Sequence, residues 1–163
     1  MPDPKTSGTA YMFLFDQNKR LGETKAEQYF AALSKNTRQF TASGSSPINS
    51  LVKGECLVAW GIINKAVSEI NKGANIDIIV PEGGAPYSLE GIALISGKEK
   101  REDVKQIFDF LYNDFIYYDK EHFSPDQIFK SQECKVPNYP KNIKYSDMIG
   151  IEDMKTKKKI LNN

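Results

Sequence analysis

The stretch Glu55-Cys56-Leu57-Val58-Ala59-Trp60-Gly61-Ile62-Ile63 decides how the rest of the chain is read. After its glutamate it is apolar without interruption and too short for a lone core helix. It is also rich in Val, Ile and Trp, the pattern of a strand covered on both faces. It is therefore expected to be a central, parallel strand. On both sides the periodicity changes to that of helices. Upstream, Ser45-Ser46-Pro47 supplies an N-cap and a first-turn proline for a helix running to Lys53, with Gly54 as its stop. Downstream, residues 64–71 read as a short helix with Ala66, Val67 and Ile70 inward and Gly73 as terminator. Residues 76–80 and 87–96 read as further strands, separated by the turn Pro81-Glu82-Gly83-Gly84.

Farther out, Thr6 or Ser7 caps a helix that carries Tyr11, Leu14 and Phe15 on one face and ends near Asn18. Thr24-Lys25-Ala26-Glu27 has the form of a capping box, and Ala26, Tyr29, Phe30 and Leu33 keep helical spacing behind it. Residues 39–43 read as short and extended. From Glu102 to about Tyr118 runs a long amphipathic helix with Val104, Ile107, Phe108, Leu111 and Phe115 on its apolar face. Ser124-Pro125-Asp126-Gln127 caps a short helix, and a basic helix lies near 152–161. Strands alternating with helices predict an α/β layer with a mainly parallel sheet, because parallel neighbours need a crossover and a helix is the usual one.

The 163 residues suffice for one globular domain or one lobe of a larger protein. Twenty-two Lys and Arg against 21 Asp and Glu leave a net charge of +1, so no global field recruits nucleic acid or an anionic membrane. The longest apolar run is far below the roughly 18 residues of a membrane span. Cys56 and Cys134 belong to no zinc spacing or redox pair. The first residues, Met-Pro-Asp-Pro-Lys-Thr-Ser-Gly, lack the basic start and apolar stretch of a signal peptide, which leaves a cytosolic and a truncated reading open.

In parallel sheets, ligands collect outside the carboxyl ends of the strands. Ser7-Gly8-Thr9 and Ser43-Gly44-Ser45-Ser46 are expected there, each placing hydroxyls beside free amides at a helix start, where the dipole favours an anion. Ordinary capping accounts for the same residues, and the two readings stay level. Trp60 is either a core aromatic or a wall for a ligand. Glu82, Tyr87 and Glu90 flank a turn and can neutralise an amine, or simply form a solvated loop. The lone histidine, His122, sits at a polar helix end, where a dipole interaction explains it. Tyr117-Tyr118 read as one inward and one outward aromatic. No nucleophile elbow, phosphate-binding loop, dinucleotide fingerprint or zinc motif is present. A binding protein without catalytic residues, metal or cofactor is the simplest expectation.

The ordered motifs Asp3-Pro4-Lys5-Thr6-Ser7-Gly8-Thr9-Ala10-Tyr11, Ser43-Gly44-Ser45-Ser46, Lys53-Gly54-Glu55 and Glu90-Gly91-Ile92-Ala93-Leu94-Ile95 resemble the extracellular solute-binding proteins of ABC importers. The nearest group is the two-lobed receptors for ferric iron, polyamines, thiamine or aminoethylphosphonate. That resemblance implies a three-layer sandwich, one lobe of the type 2 periplasmic binding protein-like fold. Residues 1–95 would be the second ligand-binding lobe, and 96–163 the return segment with the C-terminal helices. It implies a first lobe missing from this sequence, a membrane permease as partner, and a place at the extracellular face or in the periplasm, anchored by a signal or lipoprotein peptide. Ser7, Gly8, Thr9, Ser45, Ser46, Trp60, Asn64 and Glu90 would contact the solute. Where iron-binding members carry adjacent tyrosines, this chain has Ile62-Ile63-Asn64, which points away from ferric iron to a small organic or oxyanionic solute. The alternative from another class is a ligand-sensing regulatory domain or a small α/β enzyme of the same fold.

Overall fold

In the computed structural model, residues 1–123 and 134–162 are described. They form helices α1 (Gly8–Leu21), α2 (Glu23–Lys35), α3 (Ser46–Val52), α4 (Ile63–Asn71), α5 (Glu102–Phe110), α6 (Ile116–His122) and α7 (Met154–Asn162). A π-helical segment, Leu111–Phe115, joins α5 to α6. The expected short helix capped at 124–127 lies outside the described residues. Two compact units result: Met1–Ser88 with Pro140–Asn163, and Leu89–Tyr139.

The expected α/β sandwich with a mainly parallel sheet is not formed. Among the described residues there is no strand, only two isolated parallel bridges, Pro2 with Thr41 and Ala85 with Tyr145. The apolar run 55–63 forms no strand before α4 begins, and Leu57 and Val58 are 96% and 86% exposed. Ile79, in the second expected strand, is 87% exposed, and Leu89, in the third, is 85% exposed. The physical reason is that an apolar run states only a preference for burial. A strand exists when a neighbour in register accepts and donates its ladder hydrogen bonds. Here such exchange stops after one or two bonds: Asp3 N donates to Thr41 O at 2.8 Å, Ala85 N to Lys144 O at 2.8 Å, and Ser146 N to Ala85 O at 3.0 Å.

The helices follow the sequence more closely. In the first unit, α1 begins after Ser7, whose backbone is extended as an N-cap requires, and ends with Lys19 and Arg20 in its last turn, where the dipole favours cations. Gly22, at φ +77°, stops α1 with its amide on Asn18 O, and the next residue already opens α2. That tight corner displaces the expected capping box: Gly22, not Thr24, is the N-cap, and no side chain caps the helix.

Helix α1 is buried on two sides. Tyr11 and Phe15 meet Met148, Ile151, Ile160 and Leu161, and the Tyr11 ring lies 5.0 Å beneath Lys157 Nζ. Phe13, about 200° around the helix from Tyr11, stacks on Trp60 at 3.9 Å and meets Phe30 and Tyr29 edge-on at 5.4 and 6.2 Å. Helices α3 and α4 keep their predicted limits to within a residue, with Pro47 in the first turn of α3 and the stops Gly54 and Gly73 at φ +71° and +95°.

In the second unit, the long expected helix is present but is shifted in register by the π-helical segment, which adds a residue to one turn. Lys120 is buried, with Glu90 at 3.1 Å and Asp119 at 3.6 Å. Ile107, Phe110, Tyr112 and Phe123 stay exposed.

Candidate functional site

Two of the hydroxyl-rich helix starts come together in the first unit. Gly44 is buried because it packs against Thr9 and Ile62. A Cβ at position 44 would overlap Thr9 Oγ1 and lie 2.8 Å from Ile62 Cγ1. Gly61 backs the same point, since its Cβ would lie 2.9 Å from Gly44 O and 2.8 Å from Ile48 Cδ1. Ile62 N donates to Gly44 O at 3.2 Å, tying the residue that precedes α4 to the loop that precedes α3. Absent side chains at 44 and 61 are thus what let the starts of α1, α3 and α4 meet.

Around this point Ser7 is buried, Thr9 half-buried, and Ser45 and Ser46 half-buried at the head of α3. Neither Ser7 nor Ser45 closes its hydroxyl onto its own helix. Ser43 and Ser46 share a hydrogen bond at 2.8 Å between hydroxyls, and Thr41 Oγ1 donates to Ser43 O at 3.1 Å. At Gly8 a Cβ would meet nothing within 4 Å among the described residues, so the first turn of α1 is open. Asn64 is exposed in the first turn of α4. This arrangement can donate hydrogen bonds to a small oxygen-rich or anionic group.

Two residues of the expected set are not part of this group in the first unit. Trp60 stacks on Phe13 and lines a cavity of about 750 Å³ together with Asp16, Arg20 and Arg38. Glu90 belongs to the second unit, where it pairs with Lys120. His122 Nδ1 donates to Tyr118 O at 2.9 Å and its ring stacks on the Tyr118 ring, as a residue at a helix end does.

Sequence reasoning missed Asp16, Arg20 and Arg38. The available signal was Asp16 itself, an acid directly after Phe15 in the most apolar stretch of α1, with Arg20 one turn later. Buried Asp16 accepts a bond from Gln17 Nε2 at 2.9 Å and has Arg20 at 3.7 Å.

A second cavity, of about 850 Å³, lies among α1, α2 and α7 and is lined by apolar side chains such as Leu14, Phe30 and Ile160 together with charged ones such as Glu27 and Lys159. At its edge the Asp153 carboxyl is held below the usual aspartate value, first by the Thr156 hydroxyl and then by the Thr156 and Lys155 amides. Burial, and secondarily the charge of Asp153, pushes the Tyr11 phenol up. Among the described residues no cluster of three or more His, Cys, Asp or Glu could hold a metal ion, and no helix is long and apolar enough to cross a membrane.

Compared with known proteins, residues 1–120 match the family model described as bacterial extracellular solute-binding protein. An uncharacterized protein of Haemophilus influenzae (strain ATCC 51907 / DSM 11121 / KW20 / Rd) is 30% identical over 108 residues, which is 66% of this chain and 31% of that protein. The chain thus spans about a third of the length of this curated relative. No solved structure matches.

Proposed function

The chain belongs to the bacterial extracellular solute-binding proteins, and on that premise we propose that it is the solute-contacting part of a receptor that delivers a small organic or oxyanionic solute to an ABC permease. Residues 1–95 supply the ligand-binding portion and 96–163 the return segment. The rest of the binding surface comes from a further lobe of the same protein, and the whole works on the outer side of the cytoplasmic membrane, where a signal or lipoprotein peptide directs it. The reading rests on one observation, the meeting of the α1 and α3 starts at Thr9 and Gly44.

Donors there are of the kind that hold an oxyanion without metal chemistry. The α1 dipole and its open first turn attract negative charge, and the Ser7, Thr9, Ser45 and Ser46 hydroxyls supply neutral hydrogen bonds. Because hydroxyls rotate, the same set adapts to a carboxylate or a phosphonate. Asn64 adds an amide at the start of α4. No step forms or breaks a covalent bond, so the function is capture and release, consistent with a family of binding proteins.

The test is calorimetric titration of the full-length receptor with 2-aminoethylphosphonate, putrescine and ferric citrate. Heat is expected from the phosphonate. Thr9→Ala and Ser45→Ala should each weaken it by roughly ten- to a hundredfold, the worth of one hydrogen bond to a charged group. Binding of putrescine or iron alone, or phosphonate binding indifferent to both substitutions, would overturn the reading.

A further inference from the structure

The cavity at Trp60 is lined by none of Ser7, Thr9, Gly44, Ser45 and Ser46, and its chemistry is different. Its lining combines an aromatic wall with two guanidinium groups: Phe13, Tyr29 and Trp60 on one hand, Arg20 and Arg38 on the other. At about 750 Å³ it falls in the range of small-molecule sites, roughly 300–1,000 Å³.

Both arginines are positioned rather than loose. Arg20 is backed by buried Asp16 one turn earlier on α1. Its guanidinium lies across Gly83 so closely that a Cβ there would overlap it. Arg38 is anchored by a hydrogen bond from Nη1 to the Glu55 carbonyl. A guanidinium carries five donors in a fixed plane, and that anchor uses one of them.

Asp16 is the negative partner of Arg20, so it neutralises one positive charge inside the wall. Glu55 is exposed and meets Arg38 through its carbonyl, not its carboxylate. Among the described residues no ion pair compensates Arg38. Trp60 has one face taken by Phe13 at 3.9 Å and remains only half-buried, which leaves indole surface to the cavity.

We infer that this cavity is a second binding site, distinct from the proposed solute site, and that it takes a small organic anion with a flat, apolar body such as an aryl carboxylate. The ring stacks or packs on Trp60 and Tyr29, and the carboxylate meets the free edge of Arg38, with Arg20 adding positive potential. A cation of the same shape meets two guanidiniums instead and is rejected.

Trp60 is the chain's sole tryptophan, so the indole emission comes from the wall of this cavity. The experiment titrates the full chain with benzoate, with benzylamine as the positively charged counterpart and acetate as the ringless one. Benzoate should change Trp60 emission saturably, benzylamine should not, and acetate should need at least tenfold higher concentration. Arg38→Ala, an exposed position whose loss leaves the Asp16–Arg20 pair intact, should weaken benzoate at least tenfold. A saturable response to benzylamine in place of benzoate, no saturable response to benzoate, or an unchanged benzoate affinity in Arg38→Ala overturns the inference. Benzoate binding lost in Thr9→Ala but kept in Arg38→Ala would assign the anion to the other site and also overturn it, without touching the solute-receptor reading.

Discussion

Helix α1 and the α5–α6 rod both carry several aromatic residues at helical spacing, and α5 is the more amphipathic, yet they end in opposite environments. Along α1, Ala10, Tyr11, Phe13, Phe15 and even Asp16 are buried. Along α5 no residue is buried, and along α6 only Lys120 is. The difference is in the neighbours. Within its unit α1 has α2 on one side and α7 on the other, with Trp60 closing the Phe13 face. The aromatic residues of the rod find mainly one another, Phe108 on Tyr112 and Phe110 near Phe115. A hydrophobic stripe thus says that a face gains from being covered, while the identity of the cover is a tertiary matter.

The largest test of this contrast is truncation of one aromatic in each region. Phe13→Ala removes a side chain packed against three rings and should cost about 3–5 kcal/mol in urea-induced unfolding. Phe115→Ala, 43% exposed, should stay within about 0.5 kcal/mol. Equal losses would break the comparison.

An intermediate effect comes from filling glycines. Gly61→Ala sets a methyl against the Gly44 carbonyl and Ile48 and should cost about 1–3 kcal/mol, as overpacking does. Gly91→Ala in the second unit meets nothing within 4 Å among the described residues, so its melting temperature should hold. A neutral Gly61→Ala would mean that the α3–α4 junction is looser than described.

The smallest effect concerns acid. Asp147 and Asp153, at the approach to α7, are held below the ordinary aspartate value of 3.8, the first by Lys19 and the second by Thr156. With the folded value depressed, their stabilisation is complete above the unfolded value and is lost as pH falls through the folded one. Asp153→Asn should therefore lower the urea midpoint slightly at neutral pH and converge with the parent in acid, which flattens the dependence on pH below about 4. The same slope in variant and parent would remove Asp153 from the account.

Particular residues show how much could be read beforehand. Helix limits were legible wherever a backbone constraint sits at the end: Pro47 and Gly54 around α3, Gly73 after α4, extended Ser7 before α1. The capping box at Thr24 does not form because Gly22 turns the chain two residues too early for it. At the site, the two hydroxyl-rich starts could be named from sequence, but not that Gly44 and Gly61 bring them together, nor that Trp60 faces away to Phe13. The proximity of Asp16, Arg20 and Arg38 could not be read, because α1 and the 36–39 segment meet only through the fold.

What the amino-acid order determined by itself is local: where helices start and stop, which of their faces are apolar, and which loops carry hydroxyls. These follow from single-residue torsions and from contacts three or four residues apart. The tertiary structure alone decided that, among the described residues, runs 55–63, 76–80 and 87–96 pair with no neighbouring strand, that α1 is central to its unit, and that an aromatic wall and two arginines share a cavity. A sheet or a cavity depends on groups far apart in the chain, and the free energy of bringing them together is not written in any one segment.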